Sequence, residues 1–403
     1  MDTTDTLQAE EGARAASWVA VGALAVVVAL LNAAEQLPAS LLTPMAAGLD
    51  ATEGLIGQSV TATAIFAIAA SLLTAPMTRR VDRRPVLLAL TAVLVASSLV
   101  VALAPSTAIM LTARLFLGLS VGGVWGLSAS LALRLVPVSD VPKALAVIFG
   151  GGSVAMVAAP ALGAFFGGIL GWRGVFVGLT VLSAIALVAL LFALPSMPTQ
   201  SASNGTGLAT ALKQPGLALG LVGVMLMFGG GQTFQTYVRP FLEEVSGMMT
   251  GQVSLTLFIF GVTSLFGTMA APRLLGRISI RTVLAGVAVA EVVSLLALLA
   301  TGGSMVAAMA CVGLWGFFLG MVAVSWSTWV TRTYPDHAEP AGGILVAAIQ
   351  GSMMLGALVG GGLIDNLSVV APLIASIVIL AVAALYVWGL LDRQGPSKAE
   401  APA

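Results

Sequence analysis

Charged and metal-binding side chains are scarce in this sequence. Only 8% of its 403 residues are charged, whereas a soluble globular domain carries about 25%. With one histidine, His337, and one cysteine, Cys311, it has no intrachain disulfide and no cysteine-based metal cluster. A net charge of zero argues against nucleic-acid binding, and no nucleophile lies in a pattern with a base. We therefore expect no metal, no cofactor and no enzymatic activity.

Long apolar runs dominate what is present, since hydrophobic residues make up 59% of the chain. About 20 apolar residues suffice to cross a bilayer as a helix. The sequence therefore predicts an all-α polytopic membrane protein with twelve transmembrane helices. The twelve runs are approximately 17–41, 54–76, 86–104, 107–129, 143–168, 174–194, 216–238, 252–275, 282–301, 304–330, 341–364 and 369–391.

The chain is predicted to consist of two six-helix halves, 17–194 and 216–391. Between them, residues 195–215 are rich in Ser, Thr, Asn, Gly and Pro and are predicted to form a linker. Two parallel halves around a central cavity are typical of a secondary transporter. The halves also repeat, because four residues recur 198 positions later: Arg134 as Arg332, Pro137 as Pro335, Pro142 as Pro340 and Gly163 as Gly361.

The distribution of Lys and Arg predicts that both termini are cytoplasmic. All 17 basic residues fall on the side of the N-terminus except Arg114, Arg173 and Arg239. Residues 1–16 form an acidic tail and lack the basic start of a cleaved signal peptide. Residues 392–403 form the C-terminal tail, and the linker is also predicted to be cytoplasmic.

Glu35 and Arg114 are the strongest candidates for function. An ionised carboxylate facing lipid costs at least a few kcal/mol, so Glu35 is expected to have a partner. Counted at 1.5 Å per residue, Glu35 in helix one and Arg114 in helix four both lie about 10 Å inside the outer interface. We expect them to pair, and protonation of Glu35 to break the pair. The alternative is a structural ion pair between the two helices.

Uncharged polar and aromatic side chains in other spans suit a neutral, planar, polar solute better than an ion. Helix seven carries a polar stripe at i, i+3 and i+4. The alternative for these groups is packing or hydrogen bonding between helices. The candidate substrate-binding residues are Asn32, Gln36, Trp125, Gln232, Gln235, Thr236, Trp326 and Gln350.

Three further charged residues lie within or at the ends of predicted spans. Glu291, midway along helix nine, is a second candidate for function, but nothing in the sequence supplies a partner at matching depth. Arg239 and Asp365 fall at the outer boundary and are expected to be solvated.

Several motifs resemble the major facilitator superfamily, and within it the twelve-helix bacterial drug and metabolite proton antiporters. Arg114-x-x-x-Gly118-x-x-x-Gly122 is similar to the helix-four motif that the family associates with proton transfer. Gly171-Trp172-Arg173-x-x-Phe176 is similar to a common family turn before helix six.

A narrower resemblance, to the purine ribonucleoside efflux pumps of enteric bacteria, extends from Trp18 to the last helix. It rests on runs such as 37–45, 57–61, 326–329 and 363–366. It implies proton-coupled export of inosine-like or guanosine-like nucleosides and their analogues across the inner membrane. We expect a monomer in a lipid bilayer whose partners are the nucleoside and protons.

Two other functions remain open at this point. A broad multidrug exporter would be inhibited by hydrophobic cations that compete with inosine. A non-transporting receptor or sensor is the second alternative, and it would change the accumulation of no solute.

Overall fold

The computed structural model describes residues 3–77, 81–137, 140–195, 214, 216–334 and 338–390, and its regular structure is helical. The chain divides into two compact units, Met1–Asn204 and Gly205–Ala403. In the first unit the helices are α1 Thr3–Ser40, α2 Leu42–Leu49, α3 Glu53–Met77, α4 Arg83–Leu103, α5 Thr107–Leu135 and α6 Val141–Ala193. In the second they are α7 Leu217–Gln235, α8 Val238–Glu244, α9 Thr250–Leu275, α10 Ile280–Thr301, α11 Met305–Thr333, α12 Ala338–Asn366 and α13 Ala371–Leu390.

The helices agree with the predicted fold class, because in the part of the chain that the structure describes 11 of them are long and apolar enough to cross a membrane. The longest of these spans, Lys143–Ala193, has 51 residues and so has room for two crossings. It contains both predicted helices five and six. Gly171 interrupts it with φ 71° and ψ 163°, a backbone conformation that glycine adopts without steric cost.

The predicted domain ends fall partly outside the described residues. The linker 195–215 lies outside them apart from Pro195 and Gln214, and so does the tail 392–403. Most of the predicted N-terminal tail is helical in its backbone, because α1 begins at Thr3.

Close helix crossings recur in both units at glycine pairs. In the first unit α1 packs on α6 and α3 packs on α5, and in the second α7 packs on α12 and α9 packs on α11. A Cβ atom on Gly118 or Gly122 would overlap the backbone of α3. A Cβ atom on Gly316 or Gly320 would likewise overlap the backbone of α9. The two pairs are 198 positions apart, so the repeat seen in the sequence includes the contacts that let these helices approach closely.

Candidate functional site

Arg114 is a buried cation in the middle of an apolar helix, α5, and only 1% of it is exposed. Its Nη1 donates a hydrogen bond of 2.5 Å to the carbonyl oxygen of Ala34. Its Nη2 donates to the carbonyl oxygen of Glu35 at 3.3 Å. The guanidinium is therefore held by the main chain of α1, as charge-assisted hydrogen bonds would hold it.

A proline explains why a carbonyl group of α1 is available to Arg114. In a helix the carbonyl of residue i accepts from the N–H of residue i+4, and proline has no N–H. Pro38 lies inside α1, so the carbonyl of Ala34 lacks its usual helical donor. A neighbouring helix can satisfy such a group in a membrane protein. Here the guanidinium of Arg114 does so.

Glu35 lies beside this anchored cation, as the depth comparison predicted. Its side chain is half-buried, and its carboxylate is close enough to interact electrostatically with Arg114. The carbonyl groups that hold Arg114 do not titrate, so these two hydrogen bonds do not depend on the carboxylate of Glu35 as an acceptor.

Two of the other candidates of the first unit lie on the same helix as Glu35, and the third, Trp125, lies on the same helix as Arg114. Asn32, Glu35 and Gln36 occupy i, i+3 and i+4 of α1 and so share one helix face. Asn32 is buried, and its Nδ2 donates to the carbonyl of Val28 at 2.9 Å. Gln36 is half-buried. Trp125 on α5 is also half-buried, and its ring stacks on that of Phe149 of α6 with centroids 5.7 Å apart and planes at 12°. One face of this ring is thus covered by protein.

In the second unit the polar stripe lies at the end of α7. Gln232 is buried, and its Nε2 donates to Oγ1 of Thr236 at 2.9 Å. Gln235, between them in sequence, is half-buried, as is Gln350 of α12, the helix that packs on α7. Gln232 therefore has an intrahelical partner, whereas Gln235 and Gln350 are more accessible.

Trp326 lies in the core of the second unit rather than at an accessible surface. It is 1% exposed and belongs to the cluster of buried apolar residues between α7, α10, α11 and α13. Its Nε1 donates to Sδ of Met227 at 3.2 Å, and its ring lies against Gly223 of α7. This placement favours the packing alternative for Trp326.

The structure corrects the expectation that Arg239 is solvated. Arg239 is 4% exposed, and its Nε donates to Oε1 of Glu243 at 2.8 Å within the short helix α8. Asp365 is exposed.

The role of Pro38 was missed in the sequence, although a signal was present. A proline in a transmembrane run leaves the carbonyl four residues before it without a donor. Ala34 lies next to Glu35, at the depth already matched to Arg114.

Comparison with known proteins identifies the family. The model of the Major Facilitator Superfamily matches residues 23–343. The chain is 40% identical over 377 residues to the purine ribonucleoside efflux pump NepI of Salmonella paratyphi C (strain RKS4594), which covers 94% of this chain and 95% of the relative. The same figures hold for NepI of Salmonella typhimurium (strain LT2).

Solved structures share the fold at low sequence identity. A mutant of the nucleoside transporter NupG has a TM-score of 0.73 at 15% identity and covers 92% of this chain and 99% of its own. A bacterial homologue of the human lysosomal transporter Spinster has a TM-score of 0.75 at 14% identity, with coverage of 96% and 99%. The chain therefore belongs to the Major Facilitator Superfamily, and it is a multi-pass membrane transporter of small molecules rather than an enzyme.

Proposed function

We propose that this transporter exports purine ribonucleosides and their analogues in exchange for protons by alternating access. The observation that carries the proposal is the 40% identity to NepI, a purine ribonucleoside efflux pump by name, over 94% of the chain.

The chemistry of the polar groups supports a nucleoside as substrate. A purine nucleoside is neutral and planar at its base and carries several hydrogen-bonding groups. The proposed binding groups on α1 and α5 are the side chains of Asn32, Gln36 and Trp125. Those on α7 and α12 are Gln232, Gln235, Thr236 and Gln350. Amides and a hydroxyl can hydrogen-bond a base and a ribose, and an indole can stack on the base. Trp326 supports α7 from the core.

Glu35 is the proposed proton-binding group. Arg114 favours the ionised carboxylate through its charge, and its hydrogen bonds to Ala34 and Glu35 fix it at that place. A proton that binds Glu35 removes one charge next to a fixed cation. Coupling then requires that the nucleoside and the proton favour different states of the site.

The location follows from the same family membership and from the charge distribution. We propose that the protein lies in a bacterial inner membrane as a monomer with six transmembrane helices in each half. Both termini and the linker 195–215 are then in the cytoplasm. Basic residues on short loops favour the cytoplasmic side.

The test is uptake of radiolabelled inosine into inverted membrane vesicles, with and without an imposed proton gradient that is acidic inside. We expect gradient-driven uptake for the wild type and its loss in Glu35→Gln. Glu244→Gln is the matched control, because Glu244 is an exposed carboxylate at the end of α8. Uptake that Glu35→Gln retains in full would refute the role of Glu35. No uptake of inosine by folded wild type, with transport of hydrophobic cations instead, would make the protein a multidrug exporter.

A further inference from the structure

Glu291 is a buried carboxyl group that the mechanism above does not use. It lies in the middle of α10 and is 0% exposed. Within the part of the chain that the structure describes, neither of its carboxylate oxygens has a hydrogen-bond partner. At 1.5 Å per residue, Arg281 and Thr301 near the two ends of the helix are each about 15 Å away along its axis.

The helices around α10 offer Glu291 no cation at its depth. α10 packs mainly against α11 and α13 and touches α9. The described titratable side chains of these helices, and Arg281 of α10 itself, contact groups other than Glu291. Their contacts are Arg332 to the carbonyl of Leu275, Arg273 to that of Met269, Tyr386 to that of Leu219, Cys311 near Thr301, and Arg281 over the ring of Trp388.

This environment selects the protonated form of Glu291. An ionised carboxylate without a partner in an apolar interior is far more costly than a neutral carboxylic acid, so such a group binds a proton instead of remaining charged. Nearby, the buried residues Val287, Ala288 and Leu295 supply only apolar surface. Ser294 Oγ donates to the carbonyl of Ala290, which leaves only its acceptor capacity.

We infer that Glu291 is a second proton-binding site of the transporter. It is occupied in this conformation, and it exchanges its proton with water when the packing of α10 against α11 and α13 changes during transport. The proton binds to a carboxylate oxygen of Glu291 and returns from it to water, so no other reactant is needed. The inference rests on the proposed proton coupling, and it places one intramembrane carboxyl group in each unit.

Infrared spectroscopy of the purified full-length protein in lipid tests the first half of this inference. At pH 7 we expect the carbonyl stretching band of a buried carboxylic acid that is present in the wild type and absent from Glu291→Gln. Glu291→Asp should retain a band at a shifted position, which shows that the assignment does not depend on a loss of structure. A Glu291 carboxyl group that is ionised at pH 7 overturns the inference.

Counting protons against inosine in proteoliposomes tests the second half. We expect the number of protons exchanged per inosine to fall by one in Glu291→Gln, with Glu291→Asp equal to the wild type. The same number in Glu291→Gln and wild type would show a static neutral side chain and overturn the inference, while leaving the proposed function intact. If the wild type exchanges no inosine, the proposed function fails. The infrared band then decides alone, since reversible ionisation of Glu291 at raised pH supports the site and its absence refutes it.

Discussion

The replacement of Pro38 by alanine should separate the stability of the protein from its transport activity. Alanine restores an N–H group at position 38, which can donate to the carbonyl of Ala34 in the ordinary helical pattern. That carbonyl currently accepts from Nη1 of Arg114 at 2.5 Å. The substitution therefore introduces a competitor for the acceptor that anchors the buried guanidinium to α1.

The two effects of this change have opposite signs. Proline in a helix interior is about 3 kcal/mol less favourable than alanine, so α1 itself gains at most about that amount. A hydrogen bond to a charged group contributes about 1.5–3 kcal/mol. With the full helical gain, the net change is about 0 to 1.5 kcal/mol in favour of the variant, so the thermal stability of Pro38→Ala should then equal or exceed that of the wild type. If the weakened anchor raises the barrier to transport by about 1.5 kcal/mol, the rate falls roughly tenfold.

The assay is inosine transport in inverted vesicles, paired with thermal unfolding of the purified protein in detergent. Pro272→Ala is the matched control, because Pro272 lies inside α9 and, among the described hydrogen bonds, no arginine donates to the carbonyl of Thr268. We expect that control to keep the wild-type rate. A Pro38→Ala protein that is folded and transports at the wild-type rate would show that the Ala34 carbonyl is not a functional anchor for Arg114.

Three further substitutions test the packing. Trp326→Ala should lower the stability of the second unit by about 3–5 kcal/mol, seen as a lower unfolding temperature, with the affinity of the folded protein for inosine unchanged. Lower affinity at unchanged stability would instead restore Trp326 as a binding residue. Gly122→Leu should prevent the close crossing of α3 and α5, so that size-exclusion chromatography yields no folded protein. Gly22→Leu is the control, because no neighbouring atom lies within 4 Å of the Cβ position of Gly22, and it should give the wild-type yield. Gly171→Ala should cost about 1–3 kcal/mol because of its backbone conformation, and Gly178→Ala, which has open space at its Cβ position, should not lower the unfolding temperature.

The helices could be predicted from the sequence because an apolar run of 20 residues has few alternatives to a membrane span. The break between helices five and six was placed correctly, since Gly171 is where the helical backbone is interrupted. The burial of Arg239 could not be predicted, because it depends on how the seven-residue helix α8 packs. The position of Arg239 at the end of an apolar run gives no information on that packing.

The candidate site was predictable in part. Glu35 and Arg114 lie at matching depths in predicted helices one and four, which correspond to α1 and α5, and this match predicted that the two residues are neighbours. Depth does not reveal which atoms meet, and the described hydrogen bonds of Arg114 are to carbonyl oxygens of α1. The indole of Trp326 could stack on a ligand, but an aromatic ring packs equally well in an apolar core. Only its contacts with Gly223 and Met227 distinguish the two uses.

The glycines at the helix crossings follow the internal repeat, whereas the charged residues within the spans do not. The glycines of the α3–α5 crossing recur 198 positions later in the α9–α11 crossing, because both halves need the same close approach. Arg114 does not recur, since the residue 198 positions later is the fully buried Val312. Glu291 has no counterpart either, because the equivalent stretch at offsets of 196 to 198, Val93 to Val95, is apolar. Arg114 and Glu291 thus lie at places where the other unit has an apolar side chain, whereas Glu35 corresponds at the same offset to the polar residue Thr233. The two proposed proton-binding residues, Glu35 and Glu291, are therefore not related by the repeat that relates the helix crossings.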